Sequence, residues 1–306
     1  MTGGTENADR PATEAVRPEW AGLDRLGTLE LLRLLNTEDR TVAKAVAEQL
    51  PRIAVVVDAV AERMARGGRL VYAGAGTAGR LGVLDASECP PTFGTAPGQV
   101  MGVIAGGPQA LVRAVEGAED RPELAAADLA ALGLGGEDTV VGVSASGRTP
   151  YTVAAVRRAR AAGALGVGLA GTTGSPLVAA AELGIEVVTG PEVVAGSTRL
   201  KAGTAQKLVL NLLSTAVMVR LGKTYGNLMV DVRAGNAKLR DRALRIVTEI
   251  TGAEEETALR ALAATGGAVK DAVLVVLAGV DAPAAARLLT ASGGRLREAL
   301  ELAGRR

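Results

Sequence analysis

The 306-residue sequence contains no histidine. That absence excludes Ser-His-Asp and Cys-His relays and removes the commonest transition-metal ligand, so acid-base chemistry falls to Asp, Glu, Lys or Tyr. Cysteine is nearly missing too: Cys89 stands alone, which excludes an intrachain disulfide and a CxxC metal site and suits a reducing cytoplasm. Aromatic residues make up 2%, with Phe93 and Trp20 the single members of their kinds, so little material exists for stacking nucleic-acid bases. Neither sign of charge is in excess, since 34 basic and 33 acidic residues leave a net +1. No basic face marks DNA, RNA or an anionic membrane as a partner. The first twenty residues carry no apolar leader, and no later stretch reads as the roughly 18 apolar residues of a membrane span. The expectation is a soluble, cytoplasmic protein with a flexible tail over residues 1–20.

What is present is a core-forming composition, 48% hydrophobic with 40 glycines. "TLELLRLLN", "TEDRTVAKAVAEQL" and "PRIAVVVDAVAERMARGG" repeat apolar residues at helical spacing. Thr28 and Thr37 read as N-caps, Pro51 as a first-turn residue and Gly67-Gly68 as a stop. From Arg69 short apolar runs alternate with helical stretches: "RLVYAG", "VMGVIAGG", "DTVVGVSAS", "ALGVGLAG" and "GIEVVTG". Continuous apolar strands between helices predict a doubly wound parallel α/β sheet over about residues 50–245, with ligands at the strands' carboxyl ends. A long helix is expected at 199–222. Past residue 241 short helices separated by "GG" pairs predict a small helical module.

"GAGTAG", residues 74–79, follows a strand as a dinucleotide fingerprint would. Two features argue against NAD(P): Pro90-Pro91 should stop the next helix early, and the next strand ends in glycines where an acid should hold the ribose. The loop still suits an anion. A second loop, "SASGRTP", places the hydroxyls of Ser144, Ser146 and Thr149 after another strand, where they can line a phosphate monoester or act as N-caps. Glu88, flanked by Ala86, Cys89 and two prolines, reads as a partly buried carboxyl able to donate a proton near neutral pH. Glu116, Glu119 and Asp120 in "AVEGAED" read as the far end of a helix after "VIAGG", by themselves a solvated cluster. Cys89 reads as core filler.

"GAGTAGRLGVLDASECPPTFG", "AVEGAED", "ASGRTPY", "GSTRLKAGTAQK" and "GNLMVDV" together resemble the N-acetylmuramic acid 6-phosphate etherases, built on the sugar isomerase (SIS) fold and related to glucokinase regulatory protein. The resemblance runs from about Leu23 to the C-terminus. It implies a lyase that needs no cofactor or metal and cleaves the D-lactyl ether of a phosphorylated amino sugar by elimination and hydration. Carried over by motif, Glu88 protonates the departing lactate and Glu119 shares in proton abstraction or water activation. Thr77, Ser144, Ser146, Gly147 and Thr149 would hold the phosphate. Lys201 and Lys207 either approach the substrate or serve the helix they start. Ala78 departs from the family's usual "GTSG", removing one hydroxyl. Three domains are expected: the tail 1–20, a SIS domain over 21–240, and a UBA-like helical module over 241–306. A homodimer is implied. A non-catalytic sugar-phosphate regulator and a sugar-phosphate isomerase are the competing readings.

Overall fold

A computed structural model describes residues 14–231 and 237–304. The chain groups into two compact units, one made of residues up to Ser87 with Gly98–Ser214, the other of Glu88–Pro97 with Thr215–Arg306. The expected tail falls largely on residues 1–13, outside the described residues. Residues 241–306, read as a module of their own, lie wholly within the second unit.

The first unit opens with α1 (Thr28–Ala47) and α2 (Leu50–Ala65). Two helices were expected where α1 is one. Thr37 does not cap a second helix; its hydroxyl donates to the Arg33 carbonyl one turn back at 2.8 Å, which accommodates a threonine in a helix interior. Nor is Thr28 the cap: Gly27 holds that position, and its N–H donates to the Glu30 carboxylate at 3.3 Å. α2 begins with Pro51 in its first turn and stops at Gly67, whose φ of 96° suits glycine.

The five strands foreseen all form: β1 (Leu70–Gly74), β2 (Val100–Ile104), β3 (Thr139–Ser144), β4 (Leu165–Ala170) and β5 (Leu183–Glu186). They make one parallel sheet in the order β2-β1-β3-β4-β5, a doubly wound arrangement whose strand order reverses between β1 and β3. The three central strands are buried at every residue and the two edge strands only in part. Their near-continuous Val, Leu, Ala and Gly content is what burial on both faces demands. Between them run α3 (Gly76–Phe93), α4 (Pro122–Leu132), α5 (Pro150–Ala161) and α6 (Pro176–Ala180), followed by α7 (Lys201–Arg220).

α3 runs past Pro90 and Pro91 instead of stopping there. The prolines occupy its last turn, so only the carbonyls of Ala86 and Ser87 lose their donors, and the Gly94 N–H closes the helix onto the Pro90 carbonyl at 3.0 Å. Within the first unit, buried Asp85 accepts from Tyr72 Oη (2.9 Å), Asn211 Nδ2 (2.6 Å) and Ser214 Oγ (3.1 Å), joining β1, α3 and α7. α7 starts on another carboxylate: fully buried Glu192 accepts from the backbone N–H groups of Lys201 and Ala202 at 3.0 and 2.9 Å, satisfying free donors of the first turn. Among the described residues α7 alone is by itself long and apolar enough to cross a membrane, a match the sequence reading did not foresee, and 56% of that stretch is buried in the protein, as in a core helix.

The second unit contains the hairpin β6 (Thr224–Tyr225) and β7 (Leu228–Met229), then α8 (Ala237–Thr251), α9 (Glu255–Ala264), α10 (Val269–Ala278), α11 (Ala282–Ala291) and α12 (Leu296–Leu302). Val247, Val273, Leu274 and Leu296 anchor its core. Buried Lys270 reaches Asp231 Oδ1 at 2.9 Å and the Gly294 carbonyl at 2.6 Å, while Lys223 takes Asp231 Oδ2 at 2.8 Å. Burial pushes the Lys270 ammonium below the usual lysine range.

At the start of the sheet, Asp138 accepts from the Arg69 backbone N–H, from Arg69 Nε and Nη2, and from the Gly135 N–H, at 2.6–3.0 Å. Burial favours the neutral acid, but the guanidinium and the backbone donors outweigh it and hold the carboxyl below its usual range. The folded value lies under the unfolded one, near about 3.9, so this stabilisation is complete above that pH and is lost as pH falls through the folded value. Asp138→Asn should lower the melting temperature at pH 7 and flatten its fall below about pH 4, as scanning calorimetry across that range would show. An unchanged acid limb would rule this carboxylate out as a contributor.

Candidate active site

The rim at which strand order reverses carries the site. β1 ends at Gly74, and α3 starts at once on Gly76, whose φ is +52°. A Cβ at Gly79 would come within 2.6 Å of Ile104 Cγ1 and 2.7 Å of the Gly74 carbonyl oxygen, so only glycine lets α3 lie this close to the sheet. Thr77 and Ala78 occupy the first turn of α3.

After β3, buried Ser144 organises its loop. Its Oγ lies 2.9 Å from Thr149 Oγ1 and 3.4 Å from Ser146 Oγ, and it accepts the Gly147 N–H at 3.0 Å. Ser146 Oγ accepts the Arg148 N–H at 3.2 Å. Gly147 turns the chain with φ +64°, and a Cβ there would meet Ser175 Oγ at 2.3 Å. Thr149 stands at the N-cap position of α5, yet its hydroxyl makes no capping bond. The N-cap alternative therefore fails for Thr149: its hydroxyl is directed into the Ser144 cluster.

These two loops line a cavity of about 470 Å3 together with Glu119, Asp120, Arg148, Thr198 and Gln206. Of the residues singled out from sequence, Thr77, Ser144, Ser146, Thr149 and Glu119 meet in it. Gly147 is buried behind the loop and shapes it without lining the cavity. Glu119 does not end a helix as expected. The chain after β2 makes two short 3-10 turns, Pro108–Leu111 and Ala118–Asp120, because Gly106, Gly107 and Gly117 take positive φ and interrupt any longer helix. Glu119 is exposed on the second turn.

Glu88 belongs to the second unit and is not among the lining residues. It is exposed, not partly buried, because successive helical residues point about 100° apart and Cys89 takes the inward face. Cys89 is buried and in no disulfide, as core filler would be. Lys201 is occupied elsewhere: its Nζ pairs with Glu38 at 2.8 Å and lies 5.7 Å from the Trp20 ring centre. Lys207 is exposed on α7.

Sequence reasoning missed Gln206. It is buried, lines the cavity, and its Nε2 has no hydrogen-bond partner among the described residues. A signal existed: Ala202, Gln206 and Leu210 fall at four-residue spacing on one face, so an amide interrupts the buried stripe of α7. A buried donor left unpaired is costly unless something satisfies it. It was also not foreseen that Glu14, from the segment taken as a tail, lines the same cavity, its carboxylate lying beside Gly196.

Comparison with known proteins fits this geometry. The description "Glucokinase regulatory protein N-terminal SIS domain" matches residues 52–160 and "SIS domain" matches residues 122–216. The chain is 71% identical to the N-acetylmuramic acid 6-phosphate etherase of Streptomyces coelicolor over 89% of this chain and 87% of that one. It is 58% identical to that of Mycolicibacterium smegmatis, over 88% and 91%. A phosphoheptose isomerase structure from Francisella tularensis superposes with a TM-score of 0.50 at 18% identity, over 63% of this chain and all of that one, which supports the fold.

Ser144→Ala removes the acceptor of the Gly147 N–H and unties Thr149. Isothermal titration with a hexosamine 6-phosphate should show affinity weakened about 10-fold, and chemical denaturation a loss of about 1–2 kcal/mol. Undiminished affinity would mean that the hydroxyl cluster does not shape the anion site.

Proposed function

Because the chain belongs to the N-acetylmuramic acid 6-phosphate etherase family and is an enzyme of that class, we propose that its cavity binds this sugar phosphate and that the protein splits it, with water, into N-acetylglucosamine 6-phosphate and D-lactate. The observation that carries the reading is a single cavity combining a hydroxyl- and amide-rich loop with an exposed carboxylate, Glu119, in a chain without histidine.

The 6-phosphate lies against Thr77, Ser146 and Thr149, where the unfilled amide donors at the start of α5 favour an anion. Arg148 adds a cation at the rim. Gln206 offers its unpartnered Nε2 to a sugar oxygen. With the ring open, the C2 proton is alpha to the C1 aldehyde and the lactyl oxygen is beta to it. A carboxylate removes the C2 proton, and the resulting electron pair expels lactate from C3 as an acid protonates the departing oxygen. Water then adds to C3 of the unsaturated aldehyde while C2 regains a proton. We assign Glu119 to proton abstraction and water activation and Glu88 to protonation of lactate. Glu119 has support from its place in the cavity and Glu88 from the "DASECPP" motif. Both carboxyls are exposed. The reaction calls for no metal or organic cofactor, and the cytoplasm is its proposed location.

Assembly as a homodimer is part of the proposal. Leu29 and Leu32 of α1 are 58% and 56% exposed and lie one turn apart, an apolar face that a second copy would cover.

Glu88→Gln and Glu119→Gln should each reduce D-lactate release, followed by a coupled dehydrogenase assay, by about 10²- to 10⁴-fold while substrate still binds. Folded wild-type protein that binds the sugar phosphate without releasing lactate would turn the reading into that of a sensor. Leu29→Glu with Leu32→Glu should halve the mass seen by light scattering; an unchanged mass would move the interface elsewhere.

A further inference from the structure

Beside the main cavity lies a second one of about 180 Å3, formed where the turns after β2 cover the start of α3. The two share Ala75, Gly76 and Glu119, so Glu119 stands at the seam. The charged lining differs between them. The main cavity contains one guanidinium, Arg148, against Glu14, Glu119 and Asp120. The smaller one contains two, Arg80 and Arg113.

Arg80 is held in place: its Nε and Nη2 donate to the carbonyls of Leu111 and Arg113 at 3.2 and 3.3 Å, using two of its five donors. Among the described residues neither Arg80 nor Arg113 forms an ion pair, although Glu116 and Glu119 line the same cavity. Two guanidinium groups that make no direct ion pair among the described residues, at a small cavity, form a site for a planar anion, and a carboxylate matches a guanidinium in shape and hydrogen bonding. The substrate read for the main cavity has a second anion of this kind. Its phosphate is on C6, and its lactyl carboxylate hangs from the oxygen on C3, across the sugar from the phosphate.

We infer that the smaller cavity is the subsite for the lactyl carboxylate, with Arg80 and Arg113 as the residues that recognise it. The inference rests on the etherase reading. It has a geometric consequence: a substrate with its phosphate on the Ser144 loop and its lactyl group in the smaller cavity carries its C2–C3 region past the seam, where Glu119 stands. It also defines specificity, since a hexosamine 6-phosphate lacking the lactyl ether leaves both guanidinium groups without an anion.

The test compares two ligands on the full-length enzyme. For Arg80→Gln/Arg113→Ala, KM for N-acetylmuramic acid 6-phosphate should rise about 10- to 100-fold, as loss of charge-assisted hydrogen bonds implies. The inhibition constant of N-acetylglucosamine 6-phosphate, which has no carboxylate, should stay within about 2-fold of wild type. Arg113→Ala alone, at an exposed side chain, should raise KM without loss of melting temperature, and Arg80→Lys should recover part of the effect. An unchanged KM in the double variant, or a parallel rise in the inhibition constant of the product, overturns the subsite. A wild-type enzyme that releases no lactate overturns the etherase reading instead, which separates the two failures.

Discussion

The site depends on the parallel pairing of β1 with β3. Their register sets Gly74 beside Val143, so both strands end at the same level and the loops that follow open on one rim. Strand order reverses at this pair, and in doubly wound sheets the crevice for a ligand forms at such a reversal. The Arg69–Asp138 contact fixes the other end of the same two strands, and the Tyr72–Asp85 contact fixes α3 against β1. The hydroxyl loop and the Glu119 turn can be polar, glycine-rich and open because the pairing beneath them is buried along its whole length.

The sheet was readable because its strands are short apolar runs bounded by glycines, a pattern that few alternatives satisfy. Each of the five runs forms a strand. The errors came where one local signal met a competing contact. Thr37 resembles a cap but bonds backward within α1, and Pro90-Pro91 resembles a stop but falls where a helix has few bonds left to lose. The turns around Glu119 looked helical because apolar spacing does not register three glycines with positive φ.

The hydroxyl loop was visible as a composition, and its internal wiring was not. Nothing in "SASGRTP" says that Ser144 faces inward and holds Thr149 and Gly147 while Ser146 and Thr149 remain at the cavity. Gln206 shows the complementary limit. It is one polar residue in a long apolar helix, and its meaning depends on a strand rim more than sixty residues away in the chain. Glu88 was singled out for its apolar neighbours, but flanking residues along a helix face different ways and do not predict the exposure of the residue between them.

The loop after β3 holds itself through its own side chains before any ligand arrives. Binding an anion there orders little that is not already ordered, so the usual conformational cost of a phosphate loop closing on its ligand is largely absent. Affinity should then be governed by stripping water from the phosphate and from the loop's donors. A temperature series of binding would carry that signature, with a small heat-capacity change in place of the large negative one expected of a folding loop.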